Sequence, residues 1–188
     1  MLEKFQELLN KLSEENLQEG KKSSSTKDYV KIIGISLLIA ILVNKFIFFK
    51  ARVPTSSMVP TLNIGDIVLV NRLYKLDLLE RGDLVVFFSE EKGEYMVKRL
   101  IGLPGDYISI SSGDVYINGE YLEEDYVQSK DDFIGSYTVP EDKYFFLGDN
   151  RPISLDSRRW KNTYIDGKKI IGIVKFRIYP IPSIGSIK

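Results

Sequence analysis

The 188-residue sequence contains neither histidine nor cysteine. The missing cysteine excludes disulfides and thiol nucleophiles, and the missing histidine excludes an imidazole as a general base. Because both are also the usual ligands of structural and catalytic zinc, we expect no metal, and no motif indicates a cofactor. A catalytic serine would therefore need another base, either a carboxylate or a lysine held neutral. Basic and acidic residues balance at 26 each, which gives no support for a nucleic-acid partner.

One lysine lies in surroundings that favour its neutral form. Lys98 stands in the run YMVKRLIGLPGD, with Val97, Leu100 and Ile101 around it. An ordinary lysine titrates near ~10.4, and burial beside apolar groups can bring the pKa down to ~7–8. The candidate nucleophile is Ser57, in the turn-forming run PTSSMVPTL. If Ser57 is a nucleophile, Lys98 is the base that we expect.

The most apolar stretch of the chain follows a cluster of lysines. No charge occurs between Ile32 and Val43, and apolar residues occupy every face of the expected helix. About 27 Å of helix would result from eighteen residues, close to the thickness of a bilayer's hydrocarbon core. The segment begins too far from the N-terminus for a removable signal. We predict an uncleaved transmembrane anchor at residues 29–50.

The segments on either side of this anchor differ in character. The apolar run has slightly more basic residues on its N-terminal side than on its C-terminal side: four lysines, at 21, 22, 27 and 31, against Lys45, Lys50 and Arg52. By the positive-inside rule this places residues 1–28 in the cytoplasm. Apolar residues at helical spacing from Leu2 to Leu12 predict a short amphipathic helix there. The remaining residues, 51–188, are expected to form one domain on the other side of the membrane.

Beyond residue 50 the sequence consists of short β-rich runs separated by Gly, Pro, Asp and Asn. Asn118-Gly119 predicts a hairpin with a type I′ turn. So many short strands need their edges covered, so we expect a mainly β domain with a closed or coiled sheet. The predicted strands are 66–70, 84–88, 95–101, 107–110, 115–117, 121–122, 143–147 and 170–179.

Four sequence blocks occur in a fixed order. They are PTSSMVPTL at 54–62, GDIVLV at 65–70, YMVKRLIGLPGD at 95–106 and GDNRPISLDSR at 148–158. Together they resemble the blocks of the bacterial type I signal peptidases, the membrane-bound Ser/Lys proteases that remove leader peptides from exported proteins. The short stretch before the last block is similar to that of the compact single-anchor members.

The resemblance implies a fold, a location and a set of partners. The fold would be a signal-peptidase-like coiled β-sheet or partial barrel, preceded by one transmembrane helix. The catalytic domain would lie on the outer face of the cytoplasmic membrane in a single-pass protein. Its partners would be membrane lipid and the signal peptides of exported preproteins, with small residues before the cleavage site.

Individual residues take their roles from the same resemblance. Ser57 matches the nucleophile and Lys98 the general base. Thr55 falls where many members carry a serine hydroxyl in the oxyanion hole, and Ser154 matches the serine that orients the lysine amine.

Further residues are expected to support the site or to line the substrate pockets. Asp156 and Arg158 match an ion pair that supports Ser154, and Asp149 is expected to hold a nearby turn. The candidates for the pocket lining are Val53, Met58, Met96 and Val97. The sequence departs from the family pattern after Trp160, where Lys161 and Asn162 stand in place of a usual glycine.

Two other functions remain as alternatives. The chain could be a self-cleaving Ser/Lys protein of the SOS-repressor type, although no DNA-binding helix pair precedes the apolar segment. It could also be a non-catalytic, membrane-anchored β-domain that binds exported chains. The intact set of Ser57, Lys98, Ser154 and Asp156 argues against this last function.

Overall fold

The computed structural model describes residues 26–72 and 74–187. The chain divides into two compact units, residues 1–43 and residues 44–188. The amphipathic helix predicted near the N-terminus lies outside the described residues.

A single long helix, α1, is described in the first part of the chain. It runs over Thr26–Phe46, with Asp28 in its first turn, where a negative charge suits the helix dipole. Its described apolar side chains between Tyr29 and Ile41 are each more than half exposed. No helix among the described residues is both long enough and apolar enough to cross a membrane. The helix ends at Phe46, and residues 48–50 of the segment predicted as the anchor belong to a strand.

The rest of the described chain is mainly β, as predicted. The twelve strands are β1 Phe48–Arg52, β2 Ile67–Asn71, β3 Leu84–Ser89, β4 Glu94–Gly102, β5 Tyr107–Ser111, β6 Asp114–Ile117, β7 Glu120–Tyr121, β8 Gly135–Thr138, β9 Lys143–Leu147, β10 Ile165–Asp166, β11 Ile170–Tyr179 and β12 Gly185–Ser186. All eight predicted strands are present, with small differences at their ends. Four were not predicted, namely β1, β8, β10 and β12.

The strands form two sheets. The larger has the order β1-β2-β11-β3-β4-β9-β10, with β12 added beside β11, and the smaller has the order β7-β6-β5-β8. All described pairings are antiparallel, and the register shifts within the pairs that β11 makes with β2 and β3. Such shifts mark bulges, which bend a strand and increase the local twist.

The predicted hairpin is confirmed at the junction of β6 and β7. Ile117 pairs with Glu120, which leaves Asn118 and Gly119 as the two-residue loop. Both loop residues have positive φ, at 53° and 89°, as a type I′ turn requires.

Three buried apolar clusters form the core of the β-rich unit. One contains Phe87, Phe146 and Trp160, and a second contains Val53, Met58 and Leu62. The third contains residues of both sheets, from β5 and β6 of the smaller sheet and from β9 of the larger one. The second cluster therefore fixes the loop that joins β1 to β2, in which Ser57 lies.

Candidate functional site

Ser57 and Lys98 are brought together from distant parts of the chain. Ser57 lies in the loop between β1 and β2, and Lys98 lies in the middle of β4, opposite Val85 of β3. The Lys98 Nζ atom is 2.5 Å from the Ser57 Oγ atom and donates a hydrogen bond to it. Ser57 is half-buried whereas Lys98 is only 2% exposed. An accessible hydroxyl thus contacts an amine that is almost entirely removed from water.

The surroundings of Lys98 favour its neutral form. Burial lowers the pKa of Lys98 to about 8, against the opposing attraction of the Asp156 and Asp149 carboxylates. Arg158 adds to the lowering, because one buried cation disfavours another. A lysine with a pKa near 8 has a neutral fraction large enough to accept a proton at ordinary pH.

Thr55 places a second hydroxyl beside the nucleophile. Its Oγ1 atom lies 3.3 Å from Ser57 Oγ, and both residues are accessible from solvent. A donor in this position can reach the oxygen of a carbonyl group that Ser57 attacks.

Ser154 lies near the site but does not form the predicted hydrogen bond with the lysine amine. Its side chain is fully buried, and its Oγ atom has no partner with good hydrogen-bond geometry among the described residues. The hydroxyl is close enough to the Asp156 carboxylate to contribute to lowering its pKa. It is held against Gly148, where an added Cβ atom would lie 2.1 Å from Ser154 Oγ and 2.6 Å from the Ser57 carbonyl oxygen. Gly148 thus permits the close approach of these two segments.

The predicted Asp156–Arg158 pair is formed and buried. Arg158 donates to both carboxylate oxygens, from Nε and Nη2, at 2.8 Å each. The Gly148 amide donates a further bond to Asp156 at 3.0 Å. Burial alone would raise the pKa of Asp156, but these bonds and the Arg158 charge outweigh it and hold the pKa below its ordinary value. Asp156 therefore stays ionised and fixes the segment that carries Ser154.

Asp149 forms a second buried pair, with the residue that follows the lysine. Arg99 donates to Asp149 from Nε at 2.9 Å and from Nη2 at 2.7 Å, and the Thr61 hydroxyl donates to the same carboxylate at 2.5 Å. Arg99 is 2% exposed, although an arginine beside a lysine on a strand is more often solvated. The sequence alone assigns no role to Arg99. The signal that could have indicated its partner is the acidic Asp149 in the last block.

The last block also holds the backbone of the nucleophile loop. The Asn150 amide donates to the Ser57 carbonyl at 3.1 Å, and its side-chain amide donates to the Ser56 carbonyl at 3.2 Å. These two bonds fix the peptide units on either side of the Ser57 Cα atom. The sequence indicated a turn near Asp149, but not this contact.

The four candidates for the pocket lining separate into two groups. Val53 and Met58 are buried in one cluster, and Val97 packs against it. Met96 packs instead against the cluster of Phe87 and Trp160, because adjacent residues of a strand point to opposite faces. Met96 and Val97 therefore lie on opposite faces of β4.

The departure after Trp160 has a local structural solution. The Glu91 carboxylate accepts hydrogen bonds from the Lys161 and Asn162 amides, at 2.8 and 3.2 Å.

Within residues 26–72 and 74–187, no group of three or more acidic side chains is placed to hold a metal ion.

Comparison with known proteins identifies the family. The family model described as signal peptidase, peptidase S26, matches residues 26–179. The chain is 38% identical over 184 residues to signal peptidase I P of Bacillus subtilis subsp. natto, covering 91% of this chain and 98% of the relative. It is 36% identical over 177 residues to signal peptidase I of Leptolyngbya laminosa, covering 89% and 86% of the two chains.

A crystal structure of a signal peptidase I from Enterococcus faecalis V583 is also similar. It is 34% identical, covers 50% of this chain and 95% of its own, and has a TM-score of 0.45.

The family model and the two relatives from Bacillus and Leptolyngbya match most of the chain. The chain belongs to the signal peptidase family, peptidase S26, and is a serine endopeptidase. The predictions of family and enzyme class are confirmed.

Proposed function

We propose that this chain removes signal peptides from exported preproteins by means of a Ser57–Lys98 dyad. The contact between Lys98 Nζ and Ser57 Oγ is the observation that carries the proposal, because it joins an accessible hydroxyl to a buried amine. A neutral amine at this distance can take the hydroxyl proton as the oxygen attacks a carbonyl carbon. A domain that only bound exported chains would have no need of this arrangement.

The reaction would proceed in two stages. Ser57 Oγ attacks the scissile carbonyl and its proton passes to Lys98, which gives a tetrahedral intermediate with a negative oxygen. The Thr55 hydroxyl and the Ser57 amide would donate to that oxygen. Protonated Lys98 then gives its proton to the leaving amine as the peptide C–N bond breaks. In the second stage Lys98 takes a proton from water as the water oxygen attacks the acyl ester. Lys98 then returns that proton to Ser57 Oγ as the ester C–O bond breaks, which restores the free enzyme.

The supporting residues keep this geometry without taking part in bond changes. Asp156 and Arg158 would hold the segment of Ser154, whose hydroxyl can rotate toward the lysine amine once substrate is bound. Asp149 would hold Arg99, and with it the end of β4 that follows Lys98. The register shifts along β11 and β4 support a coiled sheet around these residues.

An unpaired strand edge beside Lys98 supports binding of an extended peptide. β3 pairs with Glu94–Arg99 along one edge of β4, whereas β9 pairs with the other edge only from Arg99 onward. The second edge of Tyr95–Lys98 has no partner among the described strands. A signal peptide could add a strand there by main-chain hydrogen bonds, with its small side chains against Val53, Met58 and Val97.

We further propose that residues 29–50 anchor the chain in the cytoplasmic membrane, with the N-terminus in the cytoplasm and the β-rich domain outside. The exposed apolar side chains of α1 support this location. A substrate held in the same membrane would reach the site without free diffusion through solution.

Cleavage of a purified secretory preprotein by the detergent-solubilised full chain tests the proposal. Wild type is compared with Ser57→Ala, Lys98→Ala and Ser56→Ala, the last removing a neighbouring hydroxyl with no catalytic role. We expect wild type and Ser56→Ala to release a product whose new N-terminus follows a small residue, and both dyad variants to be inactive. Cleavage by Ser57→Ala, or no cleavage by folded wild type, would contradict the proposal.

A further inference from the structure

A segment without regular secondary structure crosses from the smaller sheet to the catalytic residues. Residues 122–134, here called the strap, connect β7 to β8. Its charged and aromatic side chains contact arginines of β4 and of the GDNRPISLDSR block. No residue of the strap takes part in the proposed reaction, and no sequence motif falls within it.

The first contact runs from the strap to the backbone beside Ser57. Arg151 Nη2 donates to Glu124 Oε1 at 2.5 Å, and Arg151 Nε donates to the Gly148 carbonyl at 2.9 Å. The side chains of Arg151 and Glu124 are 1% and 4% exposed. Glu124 therefore holds Arg151, and Arg151 holds the Gly148 carbonyl. Because Gly148 packs against the Ser57 carbonyl, these contacts also support the backbone of the loop that carries Ser57.

The second contact covers the arginine next to the proposed base. The Tyr126 ring lies over the Arg99 guanidinium, with 3.7 Å from Arg99 Cζ to the ring centroid. The Tyr126 hydroxyl donates to Glu124 Oε1 at 2.7 Å, which ties the ring to the first contact. Stacking of this kind is attractive and excludes water from the cation's face. Tyr126 therefore confines Arg99 to its position against Asp149.

The third contact holds the other end of the strap. Arg158 Nη1 and Arg159 Nη2 both donate to Asp131 Oδ2, at 2.7 and 3.1 Å. Arg158 is the partner of Asp156, so the strap also reaches the ion pair beneath Ser154.

We propose that the strap is a positioning element for peptide cleavage, in which Tyr126 acts through Arg99 and Glu124 acts through Arg151. The inference rests on the proposed function, because it concerns the rate of the reaction assigned to Ser57 and Lys98. Neither strap residue touches the reacting atoms.

An electrostatic consequence distinguishes positioning from general stabilisation. The charged groups acting on Lys98 are Asp156, Asp149, Arg158 and Glu94. Arg99 neutralises Asp149, which otherwise favours protonated Lys98. If Tyr126 no longer confines Arg99, the Asp149 charge acts more strongly and water enters more easily. Both changes raise the pKa of Lys98.

The test compares kcat, KM and pH profiles of full-chain variants on one preprotein. Tyr126→Leu removes the aromatic face and keeps apolar bulk, whereas Tyr126→Phe keeps the ring and loses only its hydroxyl. Glu124→Gln is matched by Asp125→Asn, an exposed neighbour on the strap. Folded fraction is measured for each variant, and kcat is expressed per folded molecule.

For Tyr126→Leu we expect kcat to fall roughly tenfold, since displacement of reacting groups by about 1 Å costs on the order of 100-fold. KM should change little, and the acidic limb of kcat/KM should move up by about half a pH unit. Glu124→Gln should show a similar fall in kcat. Tyr126→Phe should show a smaller fall, because the ring stays over Arg99 while the bond to Glu124 is lost, and Asp125→Asn should stay near wild type.

Wild-type kcat per folded molecule and an unmoved acidic limb in both Tyr126→Leu and Glu124→Gln would overturn the proposal. The same holds if their loss of activity follows only the loss of folded protein. Neither result would touch the proposed function, which fails only if wild type does not cleave or Ser57→Ala does.

Discussion

Lys98 differs from an ordinary lysine because its side chain has almost no access to water. The two nearby carboxylates favour its charged form, yet burial has the larger effect and brings the pKa to about 8. Both carboxylates are already engaged by arginines, Asp149 by Arg99 and Asp156 by Arg158. This pairing weakens their attraction for the lysine, so a base without histidine becomes feasible near neutral pH.

Ser154→Ala should separate orientation of the lysine from stability. The Ser154 hydroxyl is buried without a well-formed hydrogen bond in the free protein, so its removal leaves no new unpaired group. We expect a melting temperature close to that of wild type. We also expect a fall in kcat of about 10- to 100-fold, typical of losing an orienting or proton-handling contact.

Steady-state kinetics and thermal unfolding of the same preparation check this expectation. Ser129→Ala, on an exposed part of the chain, serves as the control. Wild-type kcat in Ser154→Ala would show that this hydroxyl does not orient Lys98.

The pairing of Ser57 with Lys98 could be predicted from the sequence, whereas the surroundings of the two residues could not. With histidine absent, a carboxylate or a neutral lysine remained as the base for Ser57. The apolar run around Lys98 favoured the lysine, and the resemblance to the family blocks agreed with it. Arg99 looked like a solvated neighbour of Lys98, because a sequence does not show which strand edge will be covered. The Tyr126 contact with Arg99 spans 27 positions along the chain and leaves no local pattern.

The turn after β9 is tied to β4 by a buried ion pair between Asp149 and Arg99. Asp149→Asn would leave Arg99 buried with a weaker partner, and breaking a buried pair by removing one member costs about 3–5 kcal/mol. We expect the free energy of unfolding to fall by an amount approaching this range. Activity should fall with it, because Asn150 and Gly148 hold the Ser57 loop from the same turn.

Denaturant unfolding of Asp149→Asn beside Asp132→Asn measures this effect. Asp132 is exposed, so its neutralisation should change stability by less than about 0.5 kcal/mol. Equal stability of the two variants would contradict a structural role for the Arg99–Asp149 pair.

The strands that the sequence missed have weak local signals. β10 and β12 contain two residues each, and they pair only because β9 and β11 present an adjacent edge. β8 begins with glycine, which is uncommon in strands. β1 was assigned to the anchor because its two phenylalanines extend the apolar run. Alternation and turn residues were sufficient for the other eight.

The helical unit carries the apolar residues that we propose attach the chain to the membrane. The described apolar side chains of α1 from Ile32 to Ile41 point outward without burial. If they contact lipid, Ile35→Asp combined with Ile39→Asp should weaken attachment, because each charge at mid-bilayer costs about 2.5–3.5 kcal/mol on insertion scales.

Flotation of the full chain with phospholipid vesicles measures attachment. Wild type and Ile181→Asp, at a still more exposed isoleucine of the β-rich unit, should float with the lipid, whereas the double variant should remain largely in the dense fraction. Flotation of the double variant at the wild-type level would contradict an anchor at residues 29–50.

The pH dependence of kcat/KM tests most directly the claim that neutral Lys98 is the base. Protonated Lys98 cannot accept the Ser57 proton, so activity should be low below the pKa and rise to a plateau above it. We predict an acidic limb with a midpoint near pH 8 on a preprotein without ionisable groups next to the cleavage site. A profile that is flat across this region, or one whose midpoint lies above pH 10, would show that neutral Lys98 is not the base.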